Sequence, residues 1–236
     1  MSKLYFRYGA MNSGKSTALL QAAFNYEERG QQVLLAKPRI DTKGDNAVVS
    51  RLGVSRPVDF TVGVDEDIYV AFATERARVL RSTGLDVSCL LVDEAQFFTE
   101  SQVDDLLRIA ILEGVPVLAY GIRTDFQTVA FPGSRRLLEI AHSLEELKTI
   151  CRCGRKAVFN ARTIDGRFVF DGDQVAIDTS TGLSAGTPSM EAGSRDVSYQ
   201  SLCGKCYLEE SDGVLNNGRR DRVDFSYQGG PDADFA

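Results

Sequence analysis

The sequence predicts an α/β fold: a mainly parallel sheet flanked by helices, with a small C-terminal unit appended. Three observations support this. Apolar, strand-like runs alternate with amphipathic helical runs as far as residue 150. A loop of the form G-x-x-x-x-G-K-S, "GAMNSGKS" from Gly9, joins the first strand to the first helix. Past Ile150, cysteines, glycines and short β-like runs replace the long helices. Alternation of the two periods marks βα units on a parallel sheet.

The elements follow in order. "KLYFRY" reads as the first strand. Residues 15–30 read as a helix, with Ala18, Leu19, Ala22, Ala23 and Tyr26 at helical spacing and Gly30 as its stop. "QQVLLAK" is a strand, residues 38–57 a polar connection, and "VDFTV" a further strand. Residues 65–82 are helical through Ile68, Phe72, Ala73 and Val79. "VSCLLVDEAQFF" is a buried strand ending in acids. Residues 100–114 form a helix with Glu100 in its first turn, and "VPVLAYGI" is the next strand. Residues 134–144, "SRRLLEIAHSL", read as a helix that contains the sole histidine, His142, with no catalytic role. The expected division is 1–148, 149–210, and a disordered tail at 211–236, which is rich in Gly, Asp and Asn.

Composition excludes several classes. Hydrophobic residues make up 43% of 236, which suits a globular core, and no apolar run approaches the ~20 residues of a membrane span. The net charge of −6 lacks the electrostatic footprint of a nucleic-acid binder. "MSKLYF" has no signal-peptide pattern, and five cysteines is an odd number. The expectation is a cytoplasmic chain without a disulfide framework or a membrane partner.

Residues 9–17 (Gly9, Ala10, Met11, Asn12, Ser13, Gly14, Lys15, Ser16 and Thr17) lie between a strand and a helix, the context a phosphate loop needs. Backbone N–H groups in such a loop wrap a nucleotide's phosphates, the lysine reaches the β/γ-phosphates, and the serine hydroxyl holds Mg²⁺. The helix dipole adds to this. The apolar strand that ends in Asp93-Glu94 supplies what such a loop needs beside it. Asp93 would help hold Mg²⁺, and Glu94 would accept a proton from an attacking hydroxyl or water.

Cys151 and Cys153 form C-x-C, and Cys203 and Cys206 form C-x-x-C. Two such pairs suit a tetrahedral Cys₄ zinc site of structural role. A redox dithiol and ordinary buried thiols are the competing readings. Cys89, inside the Asp93 strand, reads as a plain buried thiol. Three function classes fit: a kinase acting on a small hydroxyl acceptor, a nucleic-acid ATPase suggested by "DEAQ", and a zinc-stabilised P-loop ATPase or nucleotide-binding adaptor. The second fails on size and charge, because no second nucleotide-facing domain follows and no basic groove is available.

"YGAMNSGKSTALLQ", "VDEAQF", "VPVLAYGIRTDF", "ELKTICRCGRKA" and "SYQSLCGKCY" occur in this order. Together they resemble the small cytosolic thymidine kinases, and among them the bacterial branch, from Lys3 to Tyr207. The resemblance implies a P-loop NTPase (RecA-like) domain plus a zinc-bound lasso domain, and phosphorylation of thymidine, and of deoxyuridine, by Mg-ATP. It makes Glu94 the general base toward the nucleoside 5′-hydroxyl. Met11, Phe97, Ile122, Phe126 and Phe131 fall where the family builds its thymine pocket, with Asn160 and Tyr199 at the base and Asp41 near the reacting groups. Arg123 is a candidate phosphate clamp on charge alone, with a structural ion pair as the competing reading. A homotetramer, feedback inhibition by thymidine triphosphate, and zinc at the four cysteines are also implied. Loss of a cysteine is expected to weaken thymidine binding more than ATP binding. The sequence departs from the family at residues 178–198, where a long Ser/Thr/Gly-rich connection replaces a short Gly-Gly loop.

Overall fold

A computed structural model describes residues 1–39, 47–172 and 196–215. The elements are β1 (Leu4–Tyr8), α1 (Lys15–Glu27), β2 (Gln32–Pro38), β3 (Ala47–Val49), β4 (Ser55–Pro57), β5 (Phe60–Val62), α2 (Ile68–Thr83), β6 (Val87–Val92), α3 (Glu100–Leu112), β7 (Val117–Gly121), α4 (Pro132–Ile140) and β8 (Ser143–Glu146). Then come β9 (Thr149–Ile150), β10 (Lys156–Ala157), β11 (Phe159–Ile164), β12 (Arg167–Val169), β13 (Val197–Leu202) and α5 (Gly204–Glu210).

The main sheet has six strands in the order β5-β2-β6-β7-β1-β8, and every pairing is parallel. Helices cover both faces, so its strands are apolar on both sides. Leu4, Phe6, Leu34, Ala36, Leu90, Val92, Val117 and Ala119 join one core with residues of α2, α3 and α4. The alternate positions, Val33, Leu35, Cys89, Leu91, Leu118 and Tyr120, pack with Leu19, Leu20 and Ala23 of α1. This period-2 division explains why the runs look continuously apolar in sequence. Cys89 is fully buried, and burial pushes its thiol up to about 12, as befits a core residue.

A third core belongs to the C-terminal segment alone, built from Cys151, Ala157, Ala161, Phe170, Leu202, Cys203, Cys206 and Tyr207. It lies on the antiparallel sheet β12-β11-β13 and the β9–β10 pair.

Several expectations change. The helix expected over residues 134–144 ends at Ile140. His142 lies outside it: its N–H donates to the Leu4 carbonyl (2.8 Å) and its Nδ1 accepts from the Leu4 N–H (3.1 Å). The open side of β1 needs hydrogen-bond partners, and β8 supplies them as an edge strand. The polar connection at 38–57 contains the β3–β4 hairpin. Ala73 faces solvent, while Ile68, Phe72 and Val79 are buried. The Asp93 strand stops at Val92, and residues 95–97 form a 3₁₀ turn. Residues 211–215 form a turn with Ser211 buried. Asp41, residues 178–195 of the long connection, and residues 216–236 of the expected tail lie outside the described residues.

Candidate active site

The phosphate loop, Asp93, Glu94 and Ile122 follow the carboxyl ends of parallel strands, where open α/β sheets place their ligands. β1 runs into the loop at Gly9, β6 into Asp93 and β7 into Ile122. β6 is not the neighbour of β1, because β7 lies between them.

Gly9 has no room for a side chain. A Cβ there would lie 2.4 Å from Ser13 Oγ and 2.5 Å from the Leu147 carbonyl. Asn12 (φ 65°) and Gly14 (φ 77°) are both left-handed, which turns the backbone around the concavity before α1 begins. Lys15 Nζ donates to the Ala10 carbonyl at 2.9 Å and approaches Ser13 Oγ at 3.5 Å. Burial lowers the Lys15 pKa, and the charges of Glu94 and Asp93 oppose that shift. Ser16 and Thr17 open α1 at the same end.

Asp93 is 5% exposed. Burial pushes its carboxyl up to about 7, and the Glu94 charge adds to the shift; the cations Lys37 and Lys15 oppose it. Lys37, at the end of β2, is itself buried and was not expected from the sequence. Its only signal is a lysine closing the apolar run "QVLLA". Glu94 adopts a left-handed conformation, φ 50°, which directs the chain into the 3₁₀ turn. Gln96, also missed, is almost fully buried. Its Nε2 donates to Glu94 Oε2, and its Oε1 accepts the Ile122 N–H at 3.2 Å. Gly121 makes room for this amide, since a Cβ there would lie 2.8 Å from Gln96 Oε1. The Glu94 carboxylate is thus tied to the end of β7.

Phe97 and Phe131 meet edge to face with centroids 5.4 Å apart. Ile122 and Phe126 are buried nearby in sequence, and Arg162 lies over the Phe126 ring at 3.9 Å. The Asp125 carboxylate accepts the N–H groups of Gln127 and Val129 (2.8 Å each) and so shapes this loop. Tyr207 of α5 donates to the Phe126 carbonyl at 2.7 Å. Tyr199 is half-buried on β13, in register with Arg162 of β11. Asn160 is buried, and its amide is engaged inside the chain: Oδ1 accepts the Met11 N–H (2.7 Å) and Nδ2 donates to the Thr124 carbonyl (2.9 Å). The Met11 N–H therefore points at Asn160. Arg123 lines a small open cleft with Tyr8, Gly9, Ala10, Thr124, Glu146, Val158 and Asn160.

Cys151, Cys153, Cys203 and Cys206 bring their sulfurs within 4.8 Å of one another. Four sulfurs about 2.3 Å from one tetrahedral ion stand roughly 3.8 Å apart, so the cluster can hold a metal such as zinc. The Cys206 N–H draws the Cys203 thiol down to about 6, while hydrogen bonding with Cys153 pushes Cys206 up to about 12.

A phosphate loop on a parallel sheet, facing a carboxylate pair and a buried lysine, defines a P-loop nucleotide-binding protein. Within that class, the chain belongs to the thymidine kinase family, whose model "Thymidine kinase" matches residues 2–207. It is similar to a thymidine kinase of Legionella pneumophila (strain Lens), with 48% identity over 179 residues, 75% of this chain and 83% of that one. A thymidine kinase of Enterobacteria phage T4 is 46% identical over 179 residues, 75% of this chain and 89% of that one. One of Chromobacterium violaceum is 41% identical over 210 residues, 88% of this chain and 98% of that one.

Proposed function

We propose that this chain is a thymidine kinase that transfers the γ-phosphoryl group of ATP to the 5′-hydroxyl of thymidine, giving ADP and thymidine 5′-monophosphate. The observation that carries the reading is Glu94, held by Gln96 at the end of β7 and close enough to Lys15 for their charges to interact. Loop N–H groups and Lys15 bind and orient the phosphates, and Glu94 takes the 5′-hydroxyl proton. Ser16 and Asp93 would hold Mg²⁺, which neutralises charge on the phosphates when bound. The same ion would reverse the burial effect on Asp93 and hold it ionised. Met11, Phe97, Ile122, Phe126 and Phe131 form the apolar side of a thymine pocket, and Tyr199 approaches it from the lasso, while the Asn160 amide is taken by Met11 and Thr124. Asp41 and the phosphate-clamp role of Arg123 remain part of the proposal, as does deoxyuridine as a second acceptor.

We also propose structural Zn²⁺ at the four cysteines, the division at residues 148 and 210, a homotetramer, inhibition by thymidine triphosphate, and a cytoplasmic location. Among the described residues no helix is long and apolar enough to cross a membrane, and this accords with that location.

A panel of nucleosides with ATP and Mg²⁺, read as ADP release, tests the reading. Turnover should be fastest with thymidine. No turnover with any pyrimidine nucleoside would favour a nucleotide-binding adaptor. Two substitutions refine the site. Gln96→Leu should lower kcat about tenfold by freeing the Glu94 carboxylate, and should cost about 1–3 kcal/mol of stability because the Ile122 N–H loses its partner. Both kcat and urea unfolding check this. Tyr199→Ala should raise the KM for thymidine about tenfold while the KM for ATP holds. An unchanged thymidine KM removes Tyr199 from the pocket.

A further inference from the structure

We propose that Asn160 and Ser201 act as a pair of positioning residues that hold the phosphate loop through Met11, so that the lasso unit sets the affinity for nucleotide. The inference deepens the kinase reading and rests on nucleotide binding at that loop.

Asn160 of β11 and Ser201 of β13 are register partners, so their side chains leave the same face of the antiparallel pair. Asn160 Oδ1 accepts the Met11 N–H at 2.7 Å, and Ser201 Oγ donates to the Met11 carbonyl. One cross-strand pair thus takes both backbone groups of one loop residue. Thr149 Oγ1 donates to the next carbonyl, that of Asn12, at 3.3 Å. These bonds flank the left-handed turn at Asn12, φ 65°, which shapes the concavity. A loop that binds anions through its own N–H groups gains when its shape exists before the ligand arrives.

The attachment points are placed relative to the cysteines. Thr149 lies two residues before Cys151, and Ser201 lies two residues before Cys203. Each half of the sulfur cluster therefore closes a strand that has just touched the phosphate loop. Whatever loosens the cluster releases the register of both strands. This alters the expectation that a cysteine change would act mainly on thymidine, because the lasso also touches the nucleotide side.

The test is calorimetric binding of Mg-ADP to the full chain without thymidine. Ser201→Ala should bind three- to tenfold more weakly, the range for one lost hydrogen bond, and Ser201→Thr should return to within about twofold of wild type. Tyr207→Phe, which releases the Phe126 carbonyl and leaves Met11 alone, should stay within about twofold. In steady state, the KM for ATP should rise in Ser201→Ala. Amide exchange in fragments spanning residues 9–14 should accelerate in Asn160→Ala. The inference is overturned if Ser201→Ala binds Mg-ADP as wild type does, or if Tyr207→Phe loses as much affinity. Failure of the wild-type chain to bind Mg-ADP overturns the nucleotide reading itself and this inference with it.

Discussion

Glu94→Gln is expected to fold, to bind Mg-ATP and thymidine, and to turn over on the order of 10²–10⁴-fold more slowly, the range for a missing general base. The substitution keeps the shape and the hydrogen-bonding carbonyl. An amide oxygen can still accept from Gln96 Nε2, so the tie to β7 persists. What is lost is the ability to take a proton from the 5′-hydroxyl. Because that proton moves only as the reaction proceeds, kcat should fall while both KM values stay near wild type. The left-handed backbone at residue 94 is common to wild type and variant, so its strain cancels in the comparison. Single-turnover rates with saturating ATP and thymidine check the prediction. A variant that turns over at nearly the wild-type rate would remove Glu94 from the mechanism.

Cys203→Ser is expected to lose its metal and to weaken both substrates. The wild-type chain should carry about one zinc, bound by sulfur, measurable by atomic emission after purification without chelator. Cys203 supplies one of the four clustered sulfurs, so its replacement takes out a ligand. It stands at the N-terminus of α5, whose Tyr207 fixes the Phe126 carbonyl. The lasso core is small and contains three of the four cysteines, so little else holds it once the metal is gone. Thymidine KM should rise through Phe126 and Tyr199, and ATP KM through Ser201 and Met11. A chelator applied to the wild-type chain should reproduce both effects. A wild-type chain that carries no metal would sink the prediction.

Much of this site is legible in the chain because its chemistry is local. The phosphate loop needs a fixed spacing of Gly9, Gly14, Lys15 and Ser16, and the backbone that uses it is contiguous. Asp93 and Glu94 are adjacent at the end of an apolar strand, and the cysteine pairs announce themselves by separation. The strands are legible because burial on both faces makes them continuously apolar, and the helices because one buried stripe repeats every turn.

What escaped was set by partners distant in sequence. His142 fits a helical pattern, yet the backbone of Leu4 draws it out of the helix, and no property of residues 134–144 encodes that demand. Lys37 and Gln96 look like ordinary polar residues beside apolar runs. Their importance comes from strand order, since β7 seats the Gln96 amide and the ends of β2 and β6 bring Lys37 to Asp93. Resemblance places Asn160 at the base, whereas its amide is committed to Met11 and Thr124. The sequence by itself determined the chemical groups, because catalysis and metal binding demand particular side chains at close spacing. Only the tertiary structure decided which of them touch, because a hydrogen bond between Met11 and Asn160 closes 149 residues of chain and depends on how two sheets dock.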